Sequence, residues 1–171
     1  MQGIKYRIKW SKFVKITTIV LSLILSLTEA LIIVIFYKHS QNWSDALWCI
    51  GLFIIILIIT ACTIAFTPLS LTLTETDLIL MRPIGRRIFP LKDINDVGTY
   101  TSDLSEARLF GSGGFYGFIG VYFNIKFGRY IAYVGDFSEA FYITTNSRKK
   151  KYVLSCEDRD SIISLIKNGV I

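Results

Sequence analysis

Three groups of residues in this 171-residue chain have the types and spacing to do chemistry. The first is a glycine cluster, Gly111, Gly113, Gly114, Gly117 and Gly120, interleaved with Phe115, Tyr116 and Phe118. Glycine-rich loops can cradle phosphate, but a phosphate loop needs a lysine followed by Ser or Thr, and then a helix. Here aromatics and a strand-like run follow instead. The cluster therefore reads as a tight turn with close backbone approach, or as a groove for a ligand or protein lined by Phe115, Tyr116 and Phe118. The second group is the cationic run Arg148, Lys149, Lys150 and Lys151. It could attract anionic lipid headgroups, at about 1 kcal/mol per basic residue near a membrane surface. It could equally keep a hairpin tip in water. The third is Glu29, a carboxylate inside a long apolar stretch. Such groups are costly in a membrane, so Glu29 invites three roles: pairing with a partner helix, relaying protons, or sitting protonated against Thr60 or a serine.

Enzymatic chemistry lacks its parts. His39 is the only histidine, and it falls between the two long apolar stretches, away from any nucleophile. Asp93 with Asp96, and Glu157 with Asp158, fit turns and caps better than a catalytic pair. Cys49, Cys62 and Cys156 have no metal-ligand spacing. Cys49 and Cys62 are separated by about 20 Å along one helix, so they cannot pair within a chain. No enzyme activity and no cofactor are expected.

The elements that must position these residues begin with two apolar runs. Ile16–Tyr37 carries one charge, Glu29, over 22 residues, and Leu47–Phe66 carries none over 20. As helices they measure about 33 Å and 30 Å, enough to cross a ~30 Å hydrocarbon core. Glu29 lies eight residues, about 12 Å, from the Tyr37 end. Apolar sequence continues past Thr28-Glu29-Ala30, so the first run reads as a span rather than a cleaved signal. Trp10, Tyr37, Trp43 and Trp48 mark the span ends. Lys5, Arg7, Lys9, Lys12 and Lys15 precede the first span, and Arg82, Arg86 and Arg87 follow the second, whereas the short loop holds only Lys38. The positive-inside rule then places both termini in the cytoplasm. The mean hydropathy of +0.49 has its source in these two runs.

The remaining 104 residues alternate with period two. Leu69, Leu71 and Leu73 alternate with Ser70, Thr72 and Thr74, and Leu78–Arg82 and Arg87–Leu91 return across turns at 75–77 and 83–86. A link at 92–97 leads to a strand from Gly98. After a polar stretch, Ser102–Arg108, strands are expected over 121–127, 130–134, 140–145 and 151–154. Gly128-Arg129 suits a two-residue hairpin with glycine first. Ser155 with Asp158 reads as a capping box for a last helix, whose stripe is Ile162, Leu165 and Ile166 and whose stop is Gly169. This part holds 13 basic and 11 acidic residues, too even a balance for a nucleic-acid partner.

Short antiparallel strands closed by one amphipathic helix resemble the pleckstrin-homology-like fold. The chain is similar to bacterial membrane proteins that carry such a domain after two spans. The resemblance rests on Leu71-Thr72-Leu73-Thr74 with Asp77–Leu80, on Arg87–Ile94, on Arg108–Gly120, on Gly128-Arg129-Tyr130 and on Lys151–Ser155. Many members have a proline after the serine that opens the last helix, where this chain has Cys156. The resemblance implies a fold and a membrane setting but no reaction, since domains of this fold bind lipid, peptide or protein.

The expected architecture is a membrane α-hairpin plus a mainly-β, PH-like antiparallel sandwich or partly open barrel with one C-terminal helix. Residues 1–15 form a basic cytoplasmic arm, 16–67 the two-span hairpin and 68–171 the cytoplasmic domain, held in the inner membrane. The expected function is that of a tethered adaptor contacting a membrane-protein partner, a second copy of itself or lipid headgroups. The contrasting expectation is an accessory or sensor subunit of a transporter or envelope-stress system, working through its helices and Glu29.

Overall fold

The computed structural model describes residues 3–39, 43–147 and 149–169. Two long helices, α1 (Lys12–His39) and α2 (Trp43–Phe66), form a hairpin. They are long and apolar enough to cross a membrane over Lys12–Lys38 and Leu47–Phe66. Only 6% of the first span's most apolar window and none of the second's is buried inside the protein, so both need a lipid or protein surround. α1 starts earlier than its apolar run because Ser11 caps it: the Ser11 Oγ accepts from the Val14 N–H at 3.2 Å. α2 stops at Phe66, two residues before Pro68.

The rest folds as two sheets. The first contains β1 (Ile4–Arg7), β2 (Ser70–Leu73), β3 (Asp77–Met81) and β4 (Arg86–Pro90), antiparallel and in that order. The second contains β5 (Ile94–Thr99), β6 (Ala107–Gly113), β7 (Phe118–Asn124), β8 (Gly128–Val134), β9 (Ala140–Thr145) and β10 (Lys151–Ser155), in the order β5-β9-β10-β8-β7-β6. β10 runs parallel to β8; every other pair is antiparallel. The sheets face each other across a core that includes Leu71, Leu73, Leu78, Leu80, Phe141, Ile143 and Leu154, all fully buried. The every-second leucines of β2 (Leu71, Leu73) and β3 (Leu78, Leu80) supply part of that face. α3 (Arg159–Asn168) inserts Ile162 and Ile163 into the same core. The sheets do not close, and the result is a PH-like sandwich preceded by a helical hairpin.

Several details differ from the sequence expectations; β5, for one, starts at Ile94, inside the link expected over 92–97. The basic N-terminal arm is also a strand: Tyr6 pairs with Leu71 and is buried, while Lys5 and Arg7 point outward. The alternation of Ile4, Tyr6 and Ile8 with Lys5, Arg7 and Lys9 carried that signal. The glycine cluster is mostly strand, with the turn confined to residues 114–117. The β7–β8 hairpin turns over Ile125-Lys126-Phe127, and Gly128, at φ 82°, closes it. The Asn124 Oδ1 accepts from the backbone N–H of Lys126 and of Phe127, which makes this a three-residue loop followed by a left-handed glycine. Ser155 does not cap α3. Its hydroxyl accepts from the Gly135 N–H at 2.8 Å, and α3 begins after Asp158, which adopts φ 61° and makes no side-chain cap.

The outer face of the second sheet has its own apolar cluster, with Tyr100, Tyr122, Tyr130, Ala132 and Val153. The Glu106 carboxylate accepts from the Tyr100 hydroxyl, the Tyr130 hydroxyl and the Asn124 amide, pinning the 102–106 loop across this face. Burial, then the bond to Glu106, raises the Tyr130 hydroxyl pKa far above the ordinary phenol range. Burial pushes that of Tyr122 up to about 12.

Gly111 and Gly120 sit opposite each other where β6 and β7 pair, at φ 112° and 129°. A Cβ on Gly111 would stand 2.0 Å from the Ile119 carbonyl oxygen, and one on Gly120 would stand 2.2 Å from that of Phe110. Both obstacles are backbone, so neither can move aside. Gly111→Ala or Gly120→Ala should therefore destabilise the protein by about 2 kcal/mol or more. Gly51→Ala, which meets open space in α2, should change stability by no more than about 1 kcal/mol. Thermal unfolding of the reconstituted chain gives the comparison.

Candidate functional site

The turn at 114–117 holds the candidate groove residues, and the chain itself covers part of it. The Thr18 hydroxyl of α1 donates to the Gly114 carbonyl at 3.4 Å and accepts from the Tyr116 N–H at 3.0 Å. Phe13 stacks on Phe118 with ring centroids 6.0 Å apart, and Trp10 meets Tyr116 edge-on at 6.0 Å. Val14, between them, is fully buried. Gly114 lies under Phe13, where a Cβ would stand 2.7 Å from the ring. Tyr116 and Phe118 thus form the seat of the first span.

Phe115 points elsewhere, into a crevice of about 730 Å³. One wall is the face of β6 and β7, with Phe110 and Ile119; the other is the domain-side part of the spans, from Leu21 and Ile58 to Phe66. Arg108 is its charged residue.

A second hollow, of about 330 Å³, opens on the outer face of the first sheet. Lys5, Arg7 and Arg82 line it with Ser70 and Met81, and no carboxylate does. Register explains the grouping: Arg7, Ser70, Met81 and Arg86 stand opposite one another across β1 to β4. This row lies at the helix end of the sheet. The Ile84 N–H bonds to the Ala65 carbonyl of α2 at 3.4 Å, and the Arg82 guanidinium lies 5.2 Å from the Phe66 ring centroid. Ile84 itself is 70% exposed beside it.

The described part of the cationic run, residues 149–151, occupies the opposite end. Arg148 lies outside the described residues. Ser155, at the end of β10, joins Gly135, whose carbonyl accepts from the Ser11 N–H at the start of α1. Lys151 is four residues away along β10, about 13 Å. The Asn146 N–H bonds to the Asp93 carbonyl, at the end far from the helices. The Lys151 ammonium donates to the Phe127 carbonyl and lies 4.6 Å from that ring's centroid. A headgroup field decays within a Debye length of ~8–10 Å, so this run is badly placed to feel one.

The comparisons agree with this architecture. A family model described as "Bacterial PH domain" matches residues 69–169, more than half of the chain. The chain belongs to the bacterial PH domain family. No curated protein and no solved structure matches it. The family match begins just before β2, so β1 is a strand that the N-terminal segment adds to the PH domain.

Beyond the PH domain, Glu29 is half-buried in α1 and makes no hydrogen bond or ion pair among the described residues. The Thr60 hydroxyl is buried without a partner. The two do not meet because α1 and α2 run antiparallel. Glu29 stands 17 residues, about 26 Å, beyond the start of α1, and Thr60 only about 9 Å from the end of α2. Cys156 of the PH domain is buried, and burial pushes its thiol up to about 12, which makes it a packing residue rather than a nucleophile. Asp103 is held down at about 2 by the Ser105 hydroxyl and backbone N–H.

Sequence reasoning used Lys5, Arg7 and Arg82 only to orient the spans. Their convergence on one hollow needed the β1–β2–β3 register, which no local pattern shows. Thr18, 8% exposed, looked like any residue of an apolar span. Thr18→Val should leave the Tyr116 N–H unpartnered and loosen the PH domain from α1 by about 1–3 kcal/mol. Thr18→Ser should restore it. Hydrogen exchange at residues 114–118 in the reconstituted protein reads the difference.

Proposed function

We propose that the chain is a membrane-tethered adaptor, whose PH domain receives a protein partner at the cytoplasmic face of the inner membrane by strand addition to β6. The supporting observation is the state of the four sheet edges. β1 is met by the Glu157 N–H, which bonds to the Arg7 carbonyl. β4 is blunted by Arg86, Arg87 and Pro90. β5 packs against α3. β6 is seven residues long, ends its sheet, and leaves Leu109 58% and Phe110 78% exposed. An open edge with apolar side chains is the substrate of strand addition: main-chain bonds give affinity and side-chain pockets give choice. PH-like domains are generally non-catalytic binding modules, and this reading needs no reaction.

A photocrosslinking residue at Leu109, in native membranes, should trap one partner, and Phe110→Lys should lower the yield about tenfold or more. Glu29→Gln should not change it. Loss with Glu29→Gln and retention with Phe110→Lys would instead support the accessory or sensor subunit working through its helices.

The hollow of Lys5, Arg7 and Arg82 favours a second contact, with anionic headgroups. Three cations at the helix end have no carboxylate among the hollow's lining, and the buried Arg82 Nε has no partner. Each cation near the surface contributes about 1 kcal/mol. Arg7→Gln and Arg82→Gln should each lower the preference for spin-labelled phosphatidylglycerol over phosphatidylcholine about fivefold at low salt. The effect should shrink at high salt.

A further inference from the structure

We infer that the crevice between the spans and the β6–β7 face holds one anionic phospholipid from the domain-side leaflet, its acyl chain along the helices and its phosphate on Arg108. This inference does not rest on strand addition, which uses the backbone edge of β6 rather than the face.

The crevice's level selects its occupant. Leu21 lies nine residues into α1, and Ile58 lies eight residues before the end of α2. At 1.5 Å per residue, the crevice reaches a depth of about 12–14 Å from the domain ends of the two helices. That is close to half of a ~30 Å hydrocarbon core. Its helix wall is therefore at acyl-chain depth, open sideways to the leaflet, while its sheet wall belongs to the domain. A volume of about 730 Å³ lies in the ~300–1,000 Å³ range of small-molecule sites. The walls are mostly apolar, with Ile58, Ile59, Phe66, Phe115 and Ile119 among them. Water would find few partners there.

Arg108 specifies the charge. Its guanidinium folds back over Gly113, where a Cβ would stand 2.6 Å from Nη1. The absent side chain gives the arginine room to lie at the crevice. Arg108 makes no hydrogen bond or ion pair among the described residues. An unpaired guanidinium beside an apolar slot suits a phosphate on a hydrocarbon chain, because its planar fork matches phosphate oxygens in pairs.

The test uses the full chain in liposomes containing a trace of phosphatidylglycerol with a diazirine midway along one acyl chain. Irradiation followed by peptide mapping should place adducts on residues 110–119 as well as 58–66. Arg108→Gln should reduce the adducts on 110–119 about fivefold, and Arg7→Gln should leave them unchanged. Ile59→Trp, which fills the slot without touching the charge, should also reduce them. A phosphatidylcholine probe with the same diazirine should label residues 110–119 less. Adducts confined to the outward faces of the spans, or insensitivity to Arg108→Gln, would overturn the proposal. So would equal labelling by the two probes. Copies joined through Cys62, which lines the crevice, with no lipid adducts would overturn it too, by assigning the space to a second chain.

Discussion

The pairing of β1 with β2 governs the rest of the molecule. β1 precedes the first span and β2 follows the second, yet Ile4–Arg7 and Ser70–Leu73 are hydrogen-bonded neighbours in register. Two segments can pair in this way only on the same side of a membrane, so the helices between them must cross an even number of times. Backbone bonding thus fits, independently of charge, the hairpin topology that the lysine and arginine distribution suggests. It also grips the spans from both ends. α1 leaves the sandwich on a Ser11 cap, and α2 re-enters it through Leu69.

That grip orients the PH domain. With Trp10, Phe13 and Thr18 seated on the 114–117 turn, one end of each sheet faces the spans and the other faces away. Charge then sorts by position along the strands rather than by local abundance. The described part of the densest cationic run, residues 149–151, lies on the far end. Lys5 and Arg7 of β1 meet Arg82, just past β3, at the near end. The electrostatic range of ~8–10 Å in physiological salt makes this sorting matter, because a strand's length exceeds it.

The close approach of β6 and β7 has a related consequence. Gly111 and Gly120 face each other without side chains, and the glycine at 113 leaves space that Arg108 takes up. The first sheet has four strands and the second has six, so the first does not cover all of the second. The β6–β7 end is left with an open backbone edge and an apolar face beside the spans. The same two strands carry the open edge proposed for a protein partner and the apolar face proposed for a lipid.

Much of this was legible beforehand. The apolar spans, the strands β2 to β4 and β7 to β10, and α3 follow from hydrophobic periodicity and turn residues, which are local, while the PH-like class rests on a family resemblance carried by motifs such as Arg108–Gly120. Where reading failed, a local pattern had two solutions. Gly128 suits the first position of one turn and the last of another, and the Asn124 side chain decides between them. Ser155 can cap a helix or accept from a distant backbone, and Gly135 decides. The glycine cluster and its aromatics were visible as a candidate groove, but that Tyr116 and Phe118 would be occupied by the chain's own first span was not. The sequence by itself determined which segments are long and apolar enough to cross a membrane, where most strands lie and how the composition divides between helical hairpin and domain, because burial is a property of local patterns. Only the tertiary structure decided which cations meet and which aromatics stay free. Those outcomes depend on register and on contacts between residues as distant as Thr18 and Tyr116, which chain entropy leaves unspecified until the sheets assemble.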